Sequence, residues 1–294
     1  MSLKVALAGA TGNLGPAVLA ALTTAGFEIT VLTRSSNNSF DSKVKVAEVD
    51  YQSVDSLEKA LANQEALVIT LGAVGLEPHT NLIKAAVAAN VKRIIPAEFG
   101  SDTTNPNAAA LPVFADKVAV QKQLKEIVAS SSTTSYTSIV TGPFLDWGLM
   151  VKFLIDLSSP EPVLYDAGER KISVTTLPGI GKAVVGVLKN LDATKNKTVF
   201  VREAELSQKD LLQLAGKQVS NGQNVSTADL EKEAFAELQK PEPNVHTFVF
   251  GFLKRAIFGE GFGSLFPAEN LSNELLGVGK LSNEELKALV SKYA

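Results

Sequence analysis

Apolar and polar positions follow two alternating rhythms along the first half of the chain. Val5-Ala6-Leu7-Ala8 is a short unbroken apolar run, the pattern of a strand buried on both faces. Leu14, Val18 and Leu22 then recur every four residues and mark one face of a helix, with Gly26 where a C-cap glycine belongs. Phe27 to Thr33 is rich in β-branched residues and predicts a second strand. The alternation continues with strands predicted at 44–49, 66–71, 91–96 and 136–141, and helices at 53–62, 78–90 and 111–130. Such a succession calls for a parallel sheet with helices on both faces. Right-handed crossovers then bring every strand-to-helix turn to one edge of the sheet.

From Met150 the rhythm breaks. Val163–Tyr165 and Ile172–Val174 read as short strands around an Asp166-Ala167-Gly168 turn, Leu177–Leu188 as a helix and Lys197–Val201 as a strand. Ser207, Ser226 and Ser282 each precede an acid by three residues, the mark of a helix start, and open helices near 208–217, 227–238 and 283–292. Phe248, Phe250, Phe252, Phe258, Phe262 and Phe266 fall in a glycine-punctuated stretch that is either lobe core or pocket lining. A mixture is favoured, because one pocket rarely uses so many rings. The expected fold class is α/β: a Rossmann-type doubly wound parallel sheet over residues 1–149, with a smaller α+β lobe over 150–294 and the sheet shared between them.

Composition narrows the function. The 294 residues are 45% apolar and 20% charged, as a globular core requires. A net charge of −3 without a basic cluster gives nucleic-acid binding no support. The lack of cysteine excludes disulfides and thiolate chemistry. His79 and His246, the two histidines, have no ligand spacing, so no metal is expected. No apolar run approaches a membrane span, and the N-terminus runs straight into the first strand, so no signal peptide is expected. The expected protein is cytoplasmic, a monomer or homodimer, and acts on a small molecule.

The candidate chemistry sits on the turns. Gly9-Ala10-Thr11-Gly12-Asn13-Leu14-Gly15 joins the first strand to the first helix. In a dinucleotide site Gly9 would make the tight turn, Gly12 would let a pyrophosphate approach and Gly15 would let helix and strand pack closely. Free N–H groups at the helix start would face the phosphates, with Thr11, Asn13 and Leu14 beside them. The spacing is GxxGxxG rather than GxGxxG, and a tight turn without ligand is the alternative. The second strand ends without an acid, at Leu32-Thr33-Arg34-Ser35-Ser36. An NAD site would place a carboxylate there. Arg34 suits a phosphate instead, so NADPH/NADP+ is the expected cofactor; a solvated surface arginine is the other reading. Gly72 and Ala73 open a small-residue loop at the ligand edge, equally an ordinary loop. Pro143 and Phe144 lie at the same edge, where Phe144 would either face a flat ring or join the core.

One helical position is out of place. At about 100° per residue, Val113, Val120, Leu124 and Val128 share a face, and Lys117 falls in its middle. A lysine there needs a partner or a cleft, and such a position suits proton transfer. Alternatively its stem packs while the amine reaches water.

Together these residues resemble the NmrA-like group of atypical short-chain dehydrogenases, and within it the isoflavone reductase-like branch. The landmarks are Gly9–Gly15, Arg34, Val91-Lys-Arg-Ile-Ile-Pro-Ala-Glu-Phe-Gly100, Phe114-Ala-Asp-Lys117 and Thr141-Gly-Pro-Phe144. They cover the first half in order. The second half resembles the family more loosely, through Ile180-Gly181 and Asn273-Glu-Leu-Leu-Gly277, and its tail is most similar to fungal members. The resemblance implies NADPH on the glycine turn, the 2′-phosphate on Arg34, Phe144 near the nicotinamide, and Lys117 on the nicotinamide ribose and as general acid or base. Val113 stands where the usual short-chain dehydrogenase tyrosine would be, as in that branch. Gln121 and Lys122 occupy positions that are commonly Arg or Lys, and PSEFG reads PAEFG, departures expected to leave the chemistry untouched. The implied activity is an NADPH-dependent reductase acting on an aromatic or polyketide-like C=C, C=O or benzylic ether. The alternative is a non-catalytic NADP(H)-sensing regulator.

Overall fold

A computed structural model describes residues 2–35, 39–72, 75–217 and 222–294. The first half contains β1 (Lys4–Ala8), α1 (Gly15–Thr24), β2 (Glu28–Thr33), β3 (Lys45–Glu48), α2 (Val54–Leu61) and β4 (Ala66–Ile69). It continues with α3 (Leu76–Ala88), β5 (Arg93–Ile95), α4 (Pro106–Ala109), α5 (Ala115–Ala129), β6 (Ser135–Val140) and α6 (Leu145–Met150). The second half contains β7 (Val163–Tyr165), β8 (Ile172–Val174), α7 (Leu177–Lys189), β9 (Lys197–Phe200), β10 (Ala204–Leu206) and α8 (Gln208–Leu214). Then come β11 (Gln223–Val225), α9 (Thr227–Leu238), α10 (Val245–Phe258), α11 (Asn273–Leu276) and α12 (Asn283–Val290).

Seven strands form one sheet in the order β3-β2-β1-β4-β5-β6-β9, with every pair parallel. The two-residue strand period decides which side chain meets which layer. Val5 and Leu7 face α1 and α7 through Val18, Leu22 and Val184. Ala6 and Ala8 face the other layer, with Leu57 of α2, Leu82 of α3 and Leu124 of α5. The strand order reverses at β1, between β2 and β4, which opens a crevice at the carboxyl edge.

Residues beyond 150 complete this layer. β9 extends the sheet beside β6, and α7 lies on α1. Gly181 makes the helix contact possible, since a Cβ there would sit 2.8 Å from Ala21 Cβ and 2.9 Å from the Ala17 carbonyl oxygen. Arg93, 2% exposed, ties β5 to this region. It donates to Ser135 Oγ at 3.0 Å, Thr137 Oγ1 at 2.7 Å, Thr194 Oγ1 at 2.8 Å and the Leu191 carbonyl at 2.5 Å. A buried guanidinium is tolerable because its donors are satisfied.

The remaining lobe differs from the expected one in two ways. β7 and β8 flank the Asp166 turn but do not pair with each other; β7 pairs with β11 and β8 with β10. The reason is the turn's own bonding. Asp166 accepts from Thr227 N at 2.8 Å and Thr227 Oγ1 at 2.5 Å, and Ala167 N donates to Asn224 Oδ1 at 2.8 Å. These bonds draw the turn onto the start of α9 instead of closing a hairpin. The phenylalanine-rich, glycine-punctuated stretch, for which no helix was expected, also contains a continuous helix, α10, which runs through Gly251. That glycine serves close packing: a Cβ would meet Ala234 Cβ of α9 at 2.9 Å. Phe252, Phe258, Phe262 and Phe266 are buried, while Phe250 borders a cavity. Among the described residues no helix is long and apolar enough to cross a membrane.

Candidate active site

The turn after β1 takes its shape from crowding. Gly9 has φ +92°, and a Cβ would lie 2.7 Å from the Thr70 carbonyl carbon at the end of β4. Gly15 is closed in by the turn itself, its would-be Cβ 2.1 Å from the Gly9 carbonyl oxygen. Gly12 is different: the nearest atom to a Cβ is 3.5 Å away, so its outer side is open. No side chain caps the start of α1, and Pro16 contributes no N–H there. Ala17 N donates to the Leu14 carbonyl at 3.1 Å, so of the first turn Gly15 N remains for the crevice, with the helix dipole behind it.

Beside the turn lies a cleft of about 630 Å³. Gly12, Asn13 and Leu14 form one wall, Gly72 lies along another, and Phe144 and Lys117 also line it. Gly9, Thr11, Gly15 and Pro143 are not among its lining residues; Gly9 and Gly15 shape the turn, and Thr11 is exposed. Pro143 precedes Phe144 and accepts from Thr175 N at 3.4 Å. Gly142, with φ +65°, sets up that approach, because a Cβ would collide with the Ser173 carbonyl at 2.0 Å. Ala73 lies outside the described residues. Arg34 is exposed at the end of β2 and lines a separate hollow with Glu48, Asp50 and Tyr51. Burial pushes the Tyr51 hydroxyl up to about 12, with the nearby Arg34 charge opposing that rise.

Lys117 is half-buried on α5, above the buried Val120, Leu124 and Val128. Its Nζ donates to the Glu98 carbonyl oxygen at 3.2 Å. The Glu98 side chain, 1% exposed, turns inward and accepts from Gln121 Nε2 at 2.6 Å and Thr103 Oγ1 at 3.5 Å. Burial raises its carboxyl above the usual range, and the Lys117 charge is the leading influence in the other direction. His79 borders the same cleft, 3.3 Å from the Gly72 carbonyl oxygen. Burial lowers its imidazole, with the Lys117 charge adding to the effect, so it is a neutral neighbour at neutral pH.

Sequence reasoning expected Lys117 to reach a partner, a cleft or water, and it lines the cleft; what surrounds it was not foreseen. Glu98 belongs to the quoted PAEFG segment, but nothing in strand periodicity shows its side chain turning inward. Gln121, expected to be unconnected to the chemistry, bonds the residue whose carbonyl holds Lys117. Their spacing of four residues on one helix was the available signal.

A parallel sheet reversing at β1, with a glycine turn and a lysine-bearing cleft at its carboxyl edge, defines a Rossmann-type α/β protein. The chain belongs to the NmrA-like family, whose family model matches residues 1–261. It is 31% identical to oxidoreductase poxI of Penicillium oxalicum, over 99% of this chain and 94% of that protein. It is 28% identical to oxidoreductase aprR of Aspergillus flavus, over 99% of this chain and 100% of that protein. Among solved structures, the binary complex of leucoanthocyanidin reductase with NADPH from Vitis vinifera superposes with a TM-score of 0.79 at 20% identity, covering 99% of each chain. At that identity the likeness is one of fold.

Proposed function

We propose that the chain is an NADPH-dependent reductase of the isoflavone reductase-like type. The observation that carries the reading is the placement of Lys117: an amine, fixed by the Glu98 carbonyl, on the wall of a cleft that also holds Gly12, Gly72 and Phe144. The oxidoreductase names of poxI and aprR support it. The cofactor fits on local grounds, since the open side of Gly12 and the uncapped start of α1 suit a pyrophosphate, and Arg34 a 2′-phosphate. When bound, NADPH supplies the hydride. The chain's own residues hold and orient. The glycine turn receives the phosphates, Phe144 borders the reacting face, and apolar walls such as Val113 and Phe99 limit water. Lys117 binds the ribose and, directly or through a water, donates the proton that balances hydride addition. The substrate is a small aromatic or polyketide-like molecule with a C=C, C=O or benzylic ether, selected by the lobe of residues 150–294.

Calorimetric titration with NADPH, NADP+, NADH and NAD+ tests the reading. Tight NADPH with weak NADH is expected. Preference for oxidised nucleotides over NADPH would favour a nucleotide sensor without turnover. Arg34→Asp is expected to weaken NADPH by about tenfold or more while NADH changes little. An unchanged NADPH/NADH ratio would assign the phosphate to another residue.

A further inference from the structure

A second cavity, of about 470 Å³, lies in the lobe and shares no lining residue with the Lys117 cleft. Phe153, Tyr165 and Phe250 wall it, and Lys254 of α10 borders it. Lys254 is 7% exposed. Its Nζ donates to the Phe153 carbonyl oxygen and stands 4.0 Å from the Phe153 ring centroid, 4.6 Å from that of Tyr165 and 5.7 Å from that of Phe258. Among the described residues none of the ion pairs involves it.

The other charged and titratable groups at the cavity leave that position unanswered. Glu233 is exposed at the border, and Lys152 is already paired with Asp156 at 3.0 Å. His246 stacks on Phe250 with centroids 4.2 Å apart, and burial raises the Tyr165 hydroxyl. A buried ammonium with aromatic faces but no anion carries an uncompensated desolvation cost. Ring faces offset part of it; a carboxylate would offset more, through a charge-assisted bond. The volume is that of a small-ligand site, and the walls match a flat ring.

We propose that this cavity binds a small planar aromatic carboxylate, with Lys254 Nζ as the partner of the anion and Phe153, Tyr165 and Phe250 as the walls around its ring. This site stands independently of the nucleotide reading. Burial brings the empty site's amine down to about 7. A bound anion restores its charge, so binding above that pH takes up a proton.

Cinnamate and its neutral analogue cinnamamide are suitable probes, titrated calorimetrically without nucleotide. Cinnamate is expected to bind the wild type more tightly than cinnamamide, more tightly at pH 6.5 than at 8.5, and with heats at pH 8 that depend on the buffer's ionisation enthalpy. Lys254→Met should weaken cinnamate by about tenfold or more and leave cinnamamide unchanged. The wild-type comparison of the two probes stands even if the variant folds poorly. Equal affinity for both probes, no cinnamate binding at millimolar concentration, undiminished binding by Lys254→Met, or loss of binding on Lys117→Met instead would each overturn the proposal.

Discussion

Lys117 of α5 and Lys254 of α10 both stand on an apolar helix face, one in the nucleotide half and the other in the lobe. Lys117 stays half-buried, with its amine on a cleft wall and a carbonyl to hold it. Lys254 is covered by three rings, and burial alone accounts for the fall of its amine to about 7. The difference lies in the neighbouring chemistry. Lys117 is held by the Glu98 carbonyl, behind which a buried carboxyl takes two neutral donors, and an imidazole borders the same cleft; for Lys254, among the described residues, the hydrogen-bond partner is one backbone carbonyl. The proposed roles follow that difference: proton transfer for Lys117, and the partner of a ligand's anion for Lys254.

The largest expected effect breaks the first half of that contrast. Lys117→Met should lower turnover by about 10²–10⁴-fold, the usual range for a lost acid–base group. Stability should change by less than about 1 kcal/mol, because the half-buried amine contributes little packing. Steady-state kinetics beside a chemical melt separates the two quantities. Turnover within a few fold of wild type would remove Lys117 from the reaction.

These two lysines also show how much the sequence disclosed. Lys117 was legible because Val120, Leu124 and Val128 set a helical face for it to interrupt; Val113, expected on the same helix, lies on the short 3-10 turn that precedes α5. The centre of the sheet was legible too, since β1 and β4 carry unbroken apolar runs that lead toward glycines. Lys254 was hidden. It precedes Arg255, and a Lys-Arg pair reads as solvated, yet Arg255 is itself bonded to Glu231 at 2.8 Å. Gly251 further obscured the helix, because a glycine that permits helix packing is locally identical to one that ends a helix. Burial of Glu98 and Arg93, and the lobe's strand pairing, depend on contacts between residues distant in sequence, which local periodicity does not contain.

A smaller effect, this time on stability, tests the second half. In the unfolded chain Lys254 keeps its proton up to about 10.5; in the folded chain it releases it near 7. Between those values the unfolded state binds more protons, so wild-type stability rises with pH across that window. Lys254→Met has no such term. The variant should be more stable by a few kcal/mol at or below pH 7, with the gap closing toward pH 10.5. Chemical melts at pH 6, 8 and 10 measure this. Parallel curves for the two proteins would mean that Lys254 reaches water in solution.

The smallest effect sharpens the contrast at the Lys117 wall. Glu98 has its carboxyl raised, chiefly by burial, with Lys117 pulling it down. The sign is opposite to that of Lys254. As pH rises from the ordinary carboxyl value of 4.5 through the raised folded one, the folded state holds the extra proton, and stability falls. Glu98→Gln keeps the shape and hydrogen-bonding capacity toward Gln121 and Thr103 while deleting the ionisation. Its melts should therefore lose the decline and exceed wild type by about 1 kcal/mol above neutrality. The pH profile of turnover then decides whether this carboxyl reaches the chemistry. Because Lys117 is held by the Glu98 backbone, which the substitution retains, its position should persist while the nearby titrating charge disappears. A shifted profile with retained turnover would make Glu98 an electrostatic control on Lys117; an unchanged profile would leave it a buried acid that shapes the wall alone.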